Sequence, residues 1–189
     1  MNKLQRSDVP NILKTTLTLT VIASVAALLI AGADLLTRDR IAANTLEKEM
    51  SILHEYFGEP EYDGKSFDIE GDDYLSKYYV VRLDNDELSY VYRADGKNGF
   101  GEISLLAGIK GDAAIYSIRV IENGQSYAST LEDNYLKQIY KVCEDWKESS
   151  FNDALNNVEC SATNGAKLVR KLVLAAKEHY QKHFMEGAA

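Results

Sequence analysis

Cysteine, histidine and proline are scarce in this sequence. Its 189 residues include two cysteines, three histidines and two prolines. Two cysteines are too few for a domain held together by several disulfides, and no Cys/His spacing typical of a zinc site is present. In an oxidising compartment Cys143 and Cys160 are able to pair, and the alternative is that Cys160 is simply a small packed residue.

Two of the three histidines lie close together near the C-terminus. His179 and His183 are four residues apart and can share one helix face. With Lys182 and Phe184 beside them, we interpret them as solvated residues near a helix end. No metal site is predicted.

The motifs of several common enzyme classes are also missing. There is no Gly-Lys-Ser/Thr of a P-loop, and no Gly-x-Gly-x-x-Gly stands between a predicted strand and a predicted helix. No Ser/His/Asp motif or acid/base pair of carboxylates is recognisable. A conventional hydrolase is therefore not expected, and no catalytic residue is predicted.

Basic residues are also fewer than acidic ones. The chain has 21 Lys and Arg against 29 Asp and Glu, a formal net charge of −8. An acidic protein of this kind is a poor partner for nucleic acid or anionic lipid headgroups. We predict no nucleic-acid binding.

What the sequence does contain is one long uncharged run, TTLTLTVIASVAALLIAGA, at residues 15–33. A helix of this length spans about 28 Å, close to the roughly 30 Å hydrocarbon core of a bilayer. We predict a transmembrane helix at residues 15–35.

The flanks of this run allow one alternative and indicate an orientation. Lys3, Arg6 and Lys14 form a basic segment, and Ala31-Gly32-Ala33 resembles the cleavage site of a secretory signal peptide. If the run is instead an uncleaved anchor, the basic residues place residues 1–14 in the cytoplasm. The domain after the span then lies outside the cytoplasm.

A second helix is expected directly after the span, at residues 36–58. Its apolar residues recur at helical spacing with charged residues between them. They are Leu46, Met50, Leu53 and Phe57. We interpret this segment as a stalk that packs on the following domain, residues 59–189, and Gly58-Glu59-Pro60 as its end.

The rest of the chain is one domain in which strands precede helices. The predicted strands cover residues 77–83, 87–93, 102–109 and 113–122, and the predicted helices cover 131–143 and 166–184. The predicted loops are 61–76, with at most one short strand, 94–101 and 123–130. This order favours an α+β fold with a mainly antiparallel sheet flanked by helices.

The stretch before the last helix, VECSATNGAKLV at residues 158–169, is rich in small and hydroxylated residues. Free N–H groups at a helix N-terminus attract anions, and Lys167 and Lys171 add positive charge. An ordinary helix cap is the alternative, because Ser161, Thr163 and Asn164 are all preferred capping residues.

The layout of the whole chain resembles that of the flavin-carrying proteins of two redox-driven ion pumps. These are the RnfG protein of the Rnf complex and the NqrC protein of the sodium-pumping NADH:quinone reductase. The shared features are a short basic N-terminus, one span, a helix, a β-rich domain and a threonine motif before the last helix. The best local match runs from Gly99 to Glu122, where a glycine–aromatic–glycine loop leads into two apolar strands.

In that family the last helix follows the motif Asp-x-x-Ser/Thr-Gly-Ala-Thr-x-Ser/Thr. Its Gly-Ala-Thr threonine carries FMN through a phosphoester bond, which a flavin transferase installs. Ala162 and Thr163 match the motif. The departures are Asn157 for Asp, Cys160 for Ser/Thr, Ser161 for Gly, and Gly165 for the last Ser/Thr.

A second family segment, His-x-Glu-Thr-Pro-Gly-Leu-Gly, corresponds to Gly124–Ala128. Here Gln125-Ser126 stands for Glu-Thr, and the Pro-Gly is absent. The resemblance implies that Phe100, Tyr127 and Leu131 form a slot for the flavin ring. The cofactor-binding residues that it implies are Gly99, Phe100, Gly101, Gln125, Ser126, Ser161, Ala162, Thr163, Asn164 and Lys167.

The resemblance also implies a function. The chain is expected to be a single-pass electron-transfer subunit of an Rnf- or Nqr-like ion-translocating complex, with FMN attached covalently at Thr163. Its partners are then the other membrane subunits and the flavin transferase. Two alternatives remain: a flavin-free assembly subunit that has lost the motif, and a single-span sensor that binds a ligand through residues 123–130.

Overall fold

A computed structural model describes residues 9–144, 148–157 and 160–185. The chain divides into two compact units, Met1–Glu47 and Lys48–Ala189. The observed architecture is α+β, with an antiparallel sheet and helices, which confirms the predicted fold class.

Helix α1 spans Val9–Tyr56, so it makes up most of the first unit and its last turns belong to the second. Among the described residues, this helix is long and apolar enough to cross a membrane, with a mean hydropathy of 2.2 in its most apolar window. Its hydroxyl side chains donate to carbonyls four residues earlier, as Thr16 does to Ile12 O and Ser24 to Thr20 O. These bonds satisfy the hydroxyls within the helix, as an apolar solvent requires.

The predicted span and stalk together form this one helix. The predicted end, at Gly58-Glu59-Pro60, is close to the observed last residue, Tyr56. Gly58 follows it with a φ of 119°. A Cβ on Gly58 would lie 2.4 Å from the Arg82 carbonyl oxygen. Glycine therefore allows the chain to turn directly onto the sheet.

The second unit contains a six-stranded antiparallel sheet. Its strands are β1 (Glu59–Pro60), β2 (Ser66–Asp68), β3 (Leu75–Arg82), β4 (Leu88–Asn98), β5 (Gly101–Ile109) and β6 (Ile115–Asn123). The strand order is β1-β3-β4-β5-β6, and β2 pairs with β3. The four long strands occupy the regions predicted for them and are joined by hairpins.

The predicted loop at residues 94–101 was largely wrong. Strand β4 continues through Asn98, pairing residue by residue with the start of β5. The polar and glycine-rich composition suggested a loop, but Gly96 has a packing role: a Cβ there would lie 2.9 Å from the side chains of Leu168 and Leu172. Region 61–76 contains β2, the one short strand that was allowed for, and is more ordered than expected in its 3-10 turn at Tyr62–Gly64 and in the start of β3.

The helices after the sheet begin earlier than predicted. Helix α2 (Ala128–Leu131) continues through a π-type turn (Glu132–Leu136) into α3 (Lys137–Glu144). Helix α4 (Glu148–Asn157) was not predicted. Helix α5 (Thr163–Tyr180) begins three residues before the predicted start, and a π-type turn (Gln181–Met185) follows it.

Both faces of the sheet are covered. On one face, β4, β5 and β6 pack against α2–α5 around buried residues such as Tyr92, Leu105 and Leu172. On the other face, Leu53 and Phe57 pack on Tyr79, Val91 and other strand residues. The end of the predicted stalk thus packs on the sheet.

A buried carboxylate lies beside the contact between the end of α1 and the sheet. The side chain of Glu49 is fully buried; it accepts a hydrogen bond from Tyr79 Oη at 2.6 Å and pairs with Lys77 Nζ at 2.9 Å. Arg93 also donates to it. Burial, and then the Glu49 bond, raises the pKa of Tyr79 well above its usual value. The phenol therefore remains a donor to Glu49 across the neutral range.

Candidate functional site

Three segments meet at one end of the sheet. They are the turn between β4 and β5, the segment that follows β6, and the start of α5. Ser126 donates from its amide N and its Oγ to the Phe100 carbonyl oxygen, at 2.8 Å and 3.0 Å. Asn98 Nδ2 donates to the Asn164 carbonyl oxygen at 3.1 Å. These bonds hold the turn between β4 and β5 against both other segments. We call this turn, which contains Gly99 and Gly101, the glycine loop.

Gly101 makes this close approach possible. Its φ is 138°, and a Cβ there would lie 2.0 Å from the Gly124 carbonyl oxygen. Only glycine fits such a backbone conformation and such a contact. Gly99 differs, since among the described residues no atom apart from its chain neighbours lies within 4 Å of the position that its Cβ would take.

Thr163 is the first residue of α5 and is exposed. Its Oγ1 donates to the Cys160 carbonyl oxygen at 2.8 Å. Ala162 occupies the N-cap position, without a side-chain cap. The expected capping by Ser161, Thr163 or Asn164 was therefore wrong, and the first helical bond of α5 is from Ala166 N to Ala162 O, at 3.1 Å. The N–H groups before it lie at the open end of the helix.

Cys160 contributes to this turn as a thiol. Its Sγ accepts a hydrogen bond from the Ala162 amide at 3.3 Å. In the described part of the chain, Cys143 and Cys160 are not joined by a disulfide. In this structure Cys160 is therefore a small packed residue, which is one of the alternatives predicted from the sequence.

A first cavity, of about 310 Å³, opens where the three segments meet. We call it the aromatic cavity. Its lining residues are Phe100, Gln125, Tyr127, Leu131, Ser161, Ala162, Thr163, Asn164 and Gly165. The three residues predicted to form a ring slot, Phe100, Tyr127 and Leu131, all belong to this lining. The volume is near the lower end of the roughly 300–1,000 Å³ common for small-molecule sites.

Gln125 has an unusual environment within this lining. Its side chain is 7 % exposed, and no described atom forms a hydrogen bond with its Nε2. Buried amide donors in proteins almost always have a partner. This Nε2 is fully enclosed by the protein, so it does not open onto the cavity that other atoms of Gln125 line.

A second cavity, of about 480 Å³, lies on the other side of the α5 start. We call it the cationic cavity. Its lining residues are Tyr135, Leu155, Asn156, Cys160, Ser161, Thr163, Ala166, Lys167 and Arg170. Ser161 and Thr163 belong to both cavities. Burial raises the pKa of Tyr135 far above its usual value, and its neutral hydroxyl donates to the Leu155 carbonyl oxygen at 3.0 Å.

The predicted site residues divide among these features. Lys167 lies in the cationic cavity, while Gly99, Gly101 and Ser126 shape the loops without lining either cavity. Lys171 was wrongly expected to add charge to the site, because its Nζ lies 2.5 Å from Tyr74 Oη instead. Sequence reasoning missed Arg170, although the spacing of Thr163, Lys167 and Arg170 places them on one face of a helix.

The histidine pair was expected to be solvated, but the structure places it in contact with other side chains. The rings of His179 and His183 stack with their centroids 4.2 Å apart, and His179 Nδ1 lies 3.3 Å from Tyr92 Oη. Burial and then the neighbouring His183 lower the pKa of His179. Within the described residues, no group of three or more His, Cys, Asp or Glu side chains is placed to hold a metal ion.

Comparison with known proteins bears on the N-terminal part of the chain. Residues 1–55 match the family model described as the RnfG N-terminal region. No curated protein matches the chain. The matched segment includes the apolar run of α1, the described helix that could cross a membrane. Over this N-terminal region the chain is similar to RnfG proteins.

Proposed function

We propose that this protein carries FMN, joined to Thr163 by a phosphoester bond, and transfers electrons between other members of its Rnf complex. The observation that supports this most directly is the position of Thr163. An exposed hydroxyl stands at the open N-terminus of α5, between the aromatic cavity and the cationic cavity.

The two cavities suit the two parts of FMN. Aromatic and apolar side chains of Phe100, Tyr127 and Leu131 offer surfaces for a flat ring. Lys167 and Arg170, together with the open N–H groups of α5, offset the charge of a phosphate.

The attachment step is a substitution at phosphorus. In the proposed attachment, Thr163 Oγ1 would bond to the phosphorus of an activated FMN donor as the phosphorus–oxygen bond of that donor breaks, and the displaced group would leave with the bonding electron pair while the threonine proton passes to a base. A flavin transferase supplies that donor, and the net gain of the protein is FMN minus water. Once bound, FMN supplies the electron-transfer chemistry, while the protein positions the ring and sets its surroundings.

One departure from the family motif has a physical reason in this fold. Gly165 stands where the family has Ser or Thr, and a Cβ at Gly165 would lie 2.9 Å from Leu131 Cδ2. Leu131 is fully buried. The loss of the hydroxyl at this position therefore accompanies tight packing of α5 against α2.

The test is expression of the full chain together with a flavin transferase, followed by a denaturing gel viewed under ultraviolet light. We expect flavin fluorescence in the wild-type band and none in Thr163→Val, because valine has no oxygen to bond to phosphorus. Thr130→Val is the matched control and should remain fluorescent. Mass spectrometry should find FMN minus water on the peptide that contains Thr163. A wild-type band without fluorescence would contradict the proposal.

A flavin-free assembly subunit is the second candidate. The departures at Asn157, Cys160 and Ser161 favour it, since a transferase reads this motif. In that case the intact complex would lack flavin bound to this chain, and Thr163→Val would assemble like the wild type. Attached flavin in the peptide that contains Thr163 excludes this candidate.

A further inference from the structure

We propose that the histidine pair, His179 and His183, is a pH-sensitive latch that holds the C-terminal end of α5 on the sheet and releases it when the surroundings become acidic. The pair lies at the end of α5 opposite to Thr163. The latch is therefore a property of the domain that does not depend on the proposed function.

The first argument is the position of the pair between the helix end and strand β4. The two histidine rings stack with their centroids 4.2 Å apart and 24° between their planes. His179 Nδ1 lies 3.3 Å from the hydroxyl oxygen of Tyr92, a distance at which a neutral ring can accept the phenol proton. Tyr92 is fully buried in β4. The pair thus connects the end of α5 to the core of the domain.

Protonation of the pair changes both contacts. Two charged rings at the stacking distance repel each other. A protonated Nδ1 on His179 is a donor only, so the Tyr92 phenol can no longer donate to it. Burial raises the pKa of Tyr92 far above its usual value, so no phenolate forms there to attract the charged ring.

The charged and titratable groups around the pair come from both sides of a groove of about 980 Å³ that the two histidines line. Across the groove, the segment between β2 and β3 and the start of β3 present Asp68, Glu70, Asp72, Asp73, Tyr74 and Tyr78. On the helix side, α5 and the turn after it present Lys171, Glu178 and Lys182.

The balance of these groups favours the neutral form of His179. Burial, followed by the neighbouring His183, lowers the pKa of His179 and outweighs Asp72, which raises it. Asp72 Oδ1 already accepts hydrogen bonds from the amides of Tyr74 and Leu75, at 2.8 Å and 2.9 Å. An isolated histidine has a pKa of about 6.5. The latch therefore stabilises the helix end fully above about pH 6.5, and this contribution is lost as the pH falls from there through the folded pKa.

The segment that the latch would release is the turn after α5, Gln181–Met185. Phe184 in this turn contacts the ring of Tyr90, with centroids 4.4 Å apart, and the ring of Tyr78, with centroids 5.7 Å apart. Because Phe184 directly follows His183, repulsion within the pair acts on the residue that anchors the turn to the sheet.

Hydrogen exchange of the full chain in detergent, read by mass spectrometry, measures the opening of residues 177–185. Rates are corrected for the intrinsic pH dependence of exchange and compared at about pH 5.5 and about pH 7.5, on either side of the ordinary histidine pKa. In the wild type we expect the corrected rate to rise about twofold or more at the lower pH. In His179→Gln, whose side chain cannot be protonated, it should stay the same.

The matched control is His54→Gln, which should behave like the wild type. His54 lies near the end of α1, and its Nδ1 is 3.2 Å from a carboxylate oxygen of Glu59, away from the pair. An equal rise in the corrected rate in the wild type and in folded His179→Gln overturns the inference.

A second measurement covers the case in which His179→Gln does not fold. The chain has three histidines, so the ring resonances of the wild type can be assigned with His54→Gln and His183→Gln. We expect the His179 ring to titrate below about pH 6.5, and the Phe184 ring resonances to shift over the same range. Titration of His179 at or above that pH, or a Phe184 ring that does not respond, also overturns the inference. Attachment of FMN at Thr163 is tested independently by the denaturing gel.

Discussion

At the scale of single residues, the glycines of the site show the difference between a flexible turn and a required contact. Gly99 and Gly101 are two positions apart in the same turn, and in sequence they look equivalent. Only Gly101 combines a φ of 138° with a backbone oxygen 2.0 Å from the position of a Cβ. The path of the glycine loop therefore depends on Gly101.

We expect Gly101→Ala to lower the free energy of unfolding by about 2–3 kcal/mol or more, since strain at a positive φ alone costs roughly 1–3 kcal/mol. Gly99→Ala should change it by about 1 kcal/mol or less, because its Cβ enters open space. Chemical denaturation of the two variants measures both values. Equal stability of the two variants would contradict this account of the turn.

At the scale of elements, the end of α1 is fixed to the sheet by both apolar and ionic contacts. Leu53 and Phe57 supply the apolar part. The ionic part is Glu49, fully buried and paired with Lys77 and Arg93, whose side chains are each 20 % exposed. A buried carboxylate of this kind fixes one rotational setting of the helix, because turning the helix would leave the charges unpaired.

Glu49→Ala should therefore destabilise the domain by about 3 kcal/mol, the low end of the range for a broken buried ion pair. The low end applies because Lys77 and Arg93 keep some contact with solvent. Glu47→Ala, an exposed position on the same helix, is the control and should be nearly neutral. Thermal unfolding of the full chain in detergent compares them, and similar melting temperatures would show that the ion pairs contribute little.

The elements also show what sequence patterns could predict. A run rich in β-branched and aromatic residues located β3, and an alternating pattern located the first part of β4, because one strand face points to the core at every second residue. The same rule failed at the end of β4, where Gly96 and polar neighbours pair with β5. Helix α4 was missed altogether, because its sequence, ESSFNDALNN, is polar and weak in helix formers and is buried mainly through Phe151 and Leu155.

At the scale of the whole molecule, charge and hydropathy predict the orientation in the membrane. The basic residues Lys3, Arg6 and Lys14 precede the apolar run, and the remainder of the chain is acidic. Positive residues near a span are retained in the cytoplasm. We therefore expect a cytoplasmic N-terminus and a domain on the outer face.

Two C-terminal fusions test this orientation. Alkaline phosphatase folds only outside the cytoplasm and should be active when fused after Ala189, while a cytoplasmic fluorescent reporter at the same place should be dark. The same reporters placed before Met1 should behave in the opposite way. A fluorescent C-terminal fusion would show that the domain faces the cytoplasm.

The sequence by itself determined the apolar span, the α+β class, the main strands and the candidacy of Thr163, because each of these follows from local periodicity or a short motif. Tertiary structure decided the rest of the site. It separated Lys171 from Lys167 and Arg170, and it left Gln125 buried without a partner for Nε2 among the described residues. Those outcomes depend on contacts between residues distant in the chain, such as Ser126 with Phe100 and Asn98 with Asn164, and no local pattern encodes such contacts.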